Sequence, residues 1–336
     1  MSKEKKITIF CQAPPDVLHI LNLYEINRGK AAISVIVINV KSLYDYFKSL
    51  NLKLQELEFI PYNLSFSIRK PFSFIKGRNQ LKTLYKKLFN DKYNETIYFF
   101  ALWFDWVTFF FLKELSQNNI LIYYRYYLYV PEVGREHYNL KEQYILFQYY
   151  LLTGIKFQYT DEKQTLRLLF PYKKYNIDVQ QAIEPDKDTL KRYLYKVKKV
   201  KEKSILLFES NLQPNNIIKD YEKTILHIIE ELKKRGYLIY IKAHPRLGHT
   251  KVIESVIDQF LPGEIPAELI DVSIFNCIVG IQSFSLVYFS KLSNNVYSLI
   301  NLFDFYDNSV KRNYINYLNE NSKFNIRFAN TIAELC

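Results

Sequence analysis

Short apolar runs alternate with helical stretches along most of this 336-residue chain. ITIFCQ (7–12) precedes a helical segment near 15–28, and SVIVINV (34–40) precedes SLYDYFKSL. EFIPY (58–62) leads into a basic helical stretch near 78–89. TIYFF (96–100) and ILIYYRY (120–126) bracket the helix WVTFFFLKEL. A helical KEQYILFQYYLL and a strand-like KFQYT (156–160) close the first half. This strand–helix repetition predicts a parallel sheet covered on both faces.

Residues 171–203 break the pattern, being charged, Pro-punctuated and poor in continuous apolar runs. The second half restarts with SILLFES (204–210) and a strongly amphipathic DYEKTILHIIEELKKRG, where Gly236 fits a C-terminal cap. LIYIKAHP, a helical VIESVIDQF, CIVGI, the helix FSLVYFSKL and VYSLI follow. The expected organisation is therefore an N-terminal domain over 1–170, a linker over 171–203 and a C-terminal domain over 204–336. The expected fold class is α/β, two Rossmann-like domains facing a cleft, an arrangement that resembles the two-domain glycosyltransferase architecture called GT-B.

Composition changes little in that picture. The apolar share of 49% is ordinary for a globular protein. Aromatic residues reach 17%, mostly Tyr and Phe, which beside so many Lys, Asn and Ile reads as the codon bias of an AT-rich genome. One segment, TIYFFALWFDWVTFFFL (96–112), is apolar enough to raise a membrane span. It is short and carries Asp105 at its middle, so a buried strand and a buried helix are expected instead.

The net charge of +12 suits an anionic nucleotide donor, an acidic membrane surface or nucleic acid. With no Arg-rich motif and no zinc-finger spacing, nucleic acid is set aside. The lysine runs around 173–203 read as a solvated face, leaving a peripheral attachment to anionic lipid as a second use. Cys11, Cys277 and Cys336 are far apart and make no metal-ligand spacing. Cys11 and Cys277 fall in strand-like runs as buried thiols, which fits a reducing cytosol. The opening MSKEKKITIF runs straight into a strand, without the pattern of a signal peptide.

The chemistry concentrates in the second half. His244 ends the run YLIYIKA, with Pro245 forcing the chain out of regular structure and Arg246 adding a fixed charge. An imidazole there can donate to, or protonate, a leaving phosphate near neutral pH; the plain alternative is a strand-end histidine bonded to a carbonyl. Ser283 follows CIVGI and opens an apolar helix, where a hydroxyl and first-turn N–H groups can hold phosphate or simply cap the helix. Ser285 is a second hydroxyl candidate. In PGEIPAELID, Glu264 and Glu268 can accept hydrogen bonds from a ribose, or serve as solvated acids at a helix start. For a base, the candidates are Asp220 first, Glu209 second, and Asp105 embedded in aromatics. The Asp186/Asp188 pair reads as a solvated helix start rather than a cation site, and no Gly-rich loop of the nucleotide triphosphatase type is present.

YIKAHPR, IPAEL and GIQSFSL together resemble the bacterial sialyltransferases of the lipooligosaccharide type and, more distantly, the bacterial polysialyltransferases. These carry an HP motif, an acidic residue near a Pro–x–Glu segment and a Ser–Ser or Ser–Thr pair. The resemblance implies that His244 contacts the donor phosphate as general acid, that Glu268 binds the nucleotide and that Ser283 is the first serine of the pair. LQPNNIIKDYE resembles the segment bearing the catalytic carboxylate, which puts Asp220 ahead of its near rival Glu222. Phe284 stands where the pair's second hydroxyl would be, which shifts that part to backbone N–H groups or Ser285. The similar stretch covers about residues 204–290.

What the resemblance implies is a metal-independent, inverting transfer from CMP–sialic acid to a hydroxyl, foremost of galactose, on a capsule or lipooligosaccharide. No cofactor and no metal are implied. A glycan acceptor is the second substrate, a homodimer is left open, and the place of action is the cytoplasm at the inner membrane face. Three alternatives stand beside it: a UDP-hexose transferase of the same fold, transfer of another CMP-activated nine-carbon acid, and a non-catalytic glycan- or lipid-binding scaffold.

Overall fold

The computed structural model describes residues 5–61, 73–100, 106–125, 140, 144, 147–148, 151, 177–183, 185–197, 203–209, 217–244, 248–323 and 325–336. They divide into two compact units, Met1–Leu190 and Lys191–Cys336.

The first unit runs β1 (Lys5–Cys11), α1 (Asp16–Asn27), β2 (Ala31–Ile38), α2 (Lys41–Ser49), β3 (Glu56–Ile60), α3 (Ser73–Phe89), β4 (Thr96–Phe99), α4 (Trp106–Leu115), β5 (Ile120–Arg125) and β6 (Ile177–Gln181). All pairings are parallel, in the order β3-β2-β1-β4-β5-β6. β1 buries its last five residues and β2 its last six, as strands covered on both faces must. Phe10, Phe89, Phe99 and Phe111 pack among the aliphatic residues of one core cluster. The run 96–112 becomes β4 and the start of α4, while Asp105 and the expected strand at 156–160 lie outside the described residues. Among the described residues no helix is long and apolar enough to cross a membrane.

The expected linker needs correction. Ile177–Gln181 is the sixth strand of the first sheet, paired residue by residue with Leu121–Arg125. Its sequence, IDVQQ, is mostly exposed, as befits an edge strand, so no continuous apolar run announces it. A short helix, α5 (Lys187–Lys191), spans the boundary, and Tyr195 already bridges to Ile270 in the second unit.

The second unit contains β7 (Ser204–Glu209), α6 (Tyr221–Lys234), β8 (Leu238–Ala243), β9 (Gln259–Phe260), β10 (Cys277–Gly280), α7 (Phe284–Ser290), β11 (Val296–Ser298), α8 (Asn308–Ser322) and β12 (Arg327–Phe328). Its parallel sheet runs β12-β11-β10-β7-β8-β9. Numbered from its own first strand, each sheet has the order 3-2-1-4-5-6. That is the doubly wound order whose ligands bind at the strands' carboxyl ends, where the winding reverses. The central strand, β7, buries all six of its residues. Buried Tyr221, Ile225, Ile228, Ile229 and Leu232 form the stripe by which α6 packs on the sheet. Gly236, at φ 82°, ends that helix in the left-handed conformation expected of its cap.

Two expectations fail here. VIESVIDQF is not a helix: a single 3-10 turn at Lys251–Ile253 is followed by the short edge strand β9. Ile253 is nevertheless buried in the second unit's core, with Val256 and Ile257 packed against it, an i, i+3, i+4 spacing that mimics a helical face. Cys277 is buried but is no thiol. It is joined to Cys336 as a disulfide across a Cα–Cα distance of 5.7 Å, which removes the cysteine argument for a reducing compartment. Cys11 is a buried free thiol, and burial followed by the charge of Asp16 pushes it well above the usual range.

Candidate functional site

The winding of the second sheet reverses between β7 and β10, so the carboxyl ends of those two strands and of β8 share one edge. Most of the candidate chemistry arrives there. Glu209 ends β7, His244 follows β8, and Gly280 ends β10 three residues before Ser283. Gly280 is closely packed: a Cβ there would lie 3.3 Å from both Cβ and O of Phe208 and 3.4 Å from Cδ1 of Leu286.

His244 extends the sheet by one further bond, its N–H donating to the Glu209 carbonyl at 3.0 Å. It also exchanges backbone bonds with Gly248, N–H to O at 3.2 Å and back at 2.8 Å. Gly248 takes a positive φ of 67° to close this tight loop. The His244 side chain is half-buried, and Pro245 and Arg246 lie outside the described residues. Beyond the loop, His249 Nε2 meets Glu254 Oε1 at 2.7 Å, and its ring packs 4.4 Å from that of Phe260.

Glu209 does not stand open as a base. It is buried, and both carboxylate oxygens are engaged. Oε1 accepts from Tyr221 Oη at 2.8 Å and from Thr250 Oγ1 at 2.6 Å, and Oε2 accepts from the Thr250 N–H at 3.0 Å. Burial, reinforced by the Glu209 charge, pushes the Tyr221 phenol far up, so it stays a donor. The carboxylate thus pins the Thr250 end of the loop that carries His244, while the backbone carbonyl of Glu209 holds the His244 end, a positioning role. Tyr221 and Thr250 were not singled out by sequence; they lie 12 and 41 residues from Glu209, and no local pattern links them.

Asp220 is the exposed N-cap position of α6, in the left-handed region at φ 44°, and its side chain makes no capping bond. The strand–turn before it is tied to 304–306 beyond β11, through Ile218 bridging Phe305, Lys219 N–H to Asp304 O, and Tyr306 N–H to Ile217 O. Glu222, in the first turn of α6, is half-buried.

Glu268 sits in a 3-10 turn at Ala267–Leu269 and is 4% exposed. Its Oε1 accepts from Ser285 Oγ at 3.4 Å, while its buried Oε2 has no hydrogen-bond partner. Burial raises its carboxyl, against the smaller lowering effects of hydrogen bonds and Lys242. Lys242, buried near the end of β8, donates to the carbonyls of Pro262 at 3.2 Å and Gly263 at 3.0 Å. Burial pulls its ammonium down to about 8, with Glu264 and Glu268 opposing that fall. Ser283 is the N-cap of α7: its Oγ accepts from the Ser285 N–H at 3.3 Å. The structure therefore joins Ser283, Ser285 and Glu268 in one chain of contacts. Glu264 is exposed, and Asp186 and Asp188 are exposed at the start of α5.

Two Rossmann-like domains wound in this order define the fold class, the GT-B type shared by glycosyltransferases and UDP-sugar epimerases. No protein-family model and no curated protein matches the chain. Among solved structures, it is similar to a putative UDP-N-acetylglucosamine 2-epimerase from Listeria monocytogenes, with 12% identity over 99% of this chain and 91% of that one, at a TM-score of 0.50. The Neisseria meningitidis UDP-GlcNAc 2-epimerase bound to UDP-GlcNAc shows 13% identity over 97% and 95%, at 0.45. The glycotransferase of kitacinnamycin shows 12% over 99% and 88%, at 0.44. At such identities the likeness bears on the fold alone.

Proposed function

We propose that this chain is an inverting glycosyltransferase that moves sialic acid from CMP–sialic acid to a hydroxyl, foremost of galactose, on a cell-surface glycan. The observation that carries the reading is the gathering of His244, Ser283 and the Ser285–Glu268 pair at the carboxyl edge where the second sheet reverses its winding. Doubly wound sheets bind nucleotides at such a point. The donor's identity rests on the resemblance of YIKAHPR, IPAEL and GIQSFSL to the sialyltransferase motifs.

In this reaction the acceptor oxygen attacks the anomeric carbon from the face opposite CMP. The bond to the phosphate oxygen breaks, and CMP departs with the bonding pair. Half-buried His244 donates to that phosphate as negative charge develops, with Arg246 adding positive charge. Ser283 and Ser285 offer hydroxyls to the phosphate, and the vacant acceptor of Glu268 suits a ribose hydroxyl. Asp220, exposed and near the same edge, takes the acceptor's proton. Glu209 holds the His244 loop and takes no proton. The reading requires neither metal nor cofactor, so turnover persists in excess chelator. A cytoplasmic place of action at the inner membrane face suits a lipid-linked acceptor.

The same fold serves UDP-sugar enzymes, which is the rival reading. Incubating the purified chain with CMP–sialic acid and a panel of galactosides, then weighing the products, decides between them. Sialylated product from wild type, and none from a folded His244→Ala variant, is the expected result. Product from UDP-hexoses alone, or full turnover by His244→Ala, overturns it.

A further inference from the structure

We infer that the outer face of α3 in the first unit docks the protein onto an anionic phospholipid surface. Over its 17 residues this helix carries Lys76, Arg78, Lys82, Lys86 and Lys87 and no acidic residue. All five cations are exposed, and none is paired with an acid among the described residues. The opposite side is anchored: Leu81 is fully buried in the first core, with Leu84, Tyr85 and Leu88 packed against it, and Phe89, the helix's last residue, is buried where the cation row ends. At about 100° per residue, the cations spread over an arc of about 180° on the solvent side, along about 17 Å of axis. What sets α3 apart is its one-signed density, five cations and no acid in 17 residues, whereas α2 and α6 carry acids that pair with their own lysines, as in Lys41–Asp45 and Lys234–Glu231.

Charge alone fits a bilayer or a polyanionic glycan equally. Ile75 separates them. It is 48% exposed and falls at about 260° on the wheel, between Lys82 and Lys86 when Lys76 is taken as zero. A hydrated polysaccharide gives nothing to a solvent-facing isoleucine, whereas a headgroup boundary buries it while the lysine stems reach outward. The helix is therefore read as a bilayer-facing element. This inference stands apart from the transferase reading and survives its failure.

The test is co-sedimentation of the full chain with phosphatidylglycerol-containing vesicles, beside pure phosphatidylcholine vesicles and soluble dextran sulfate. Each lysine near an anionic surface is worth about fivefold in partitioning, so the triple variant Lys82→Gln/Lys86→Gln/Lys87→Gln loses about a hundredfold. Ile75→Asn weakens vesicle binding several-fold and leaves dextran sulfate binding unchanged. A charge-matched control, Lys196→Gln/Lys223→Gln/Lys323→Gln, removes three exposed lysines of the second unit and binds vesicles within about twofold of wild type. Melting temperatures monitor folding throughout. Three results would each overturn the inference: no binding to anionic vesicles, equal losses in the triple variant and its control, or indifference of vesicle binding to Ile75→Asn.

Discussion

Two buried charges shape the carboxyl edge of the second sheet, and each can be tested by itself. Glu209 holds three donors on two oxygens, so Glu209→Gln leaves a hydroxyl or N–H of Thr250 or Tyr221 facing an amide that cannot accept from it. The buried donor then costs about 1–3 kcal/mol. Urea denaturation should show that loss, and an unchanged midpoint would remove the network's structural role. Lys242 tests burial through pH. Its folded-state value, about 8, is below the ordinary 10.5. Between those values the unfolded chain binds more protons than the folded one, so stability rises with pH across the window. The penalty is complete below about pH 8 and gone above about pH 10.5, and amounts to about 3 kcal/mol. Wild type minus Lys242→Met, compared by urea denaturation at both ends of the window, should grow by up to that amount. A flat difference would mean the ammonium is hydrated.

At the scale of elements, β10 packs tightly against its neighbours at Gly280. Gly280→Ala gains about 0.4–1 kcal/mol by restricting the unfolded chain, but the added methyl needs a few tenths of an ångström from Phe208 and Leu286. Overpacking of this kind costs about 1–3 kcal/mol, so the net expectation is a loss of about 1 kcal/mol, read from the thermal midpoint. A stabilised variant would show that α7 stands off the sheet. Elements with strong buried patterns were legible from the residues alone: β1, β2, β7 and α6 fall where their apolar runs or stripes predict. Those that escaped do so for physical reasons. Ile177–Gln181 is an edge strand whose exposed residues carry no burial signal, and 251–260 is an irregular segment that turns Ile253, Val256 and Ile257 toward the core at helix-like spacing.

For the whole molecule, the doubly wound class followed from the order of strands and helices, because parallel strands need crossover helices and the chain supplies them in turn. The chain divides between Leu190 and Lys191, within the stretch expected as linker, part of which is the strand Ile177–Gln181. The site was legible only as far as chemistry lies near strand ends. His244, Ser283 and Glu268 stood out by local context, whereas Lys242, Thr250 and Tyr221 emerged only when distant segments met across the sheet. The account's central claim is that this edge of the second unit binds a cytidylate through His244. Calorimetric titration of CMP and UDP into wild type and His244→Ala tests it most directly. A hydrogen bond to a charged phosphate is worth about 1.5–3 kcal/mol, so CMP affinity should fall about ten- to a hundredfold in the variant, with UDP the weaker ligand of wild type. CMP binding that is absent from wild type, or identical in the two proteins, would contradict it.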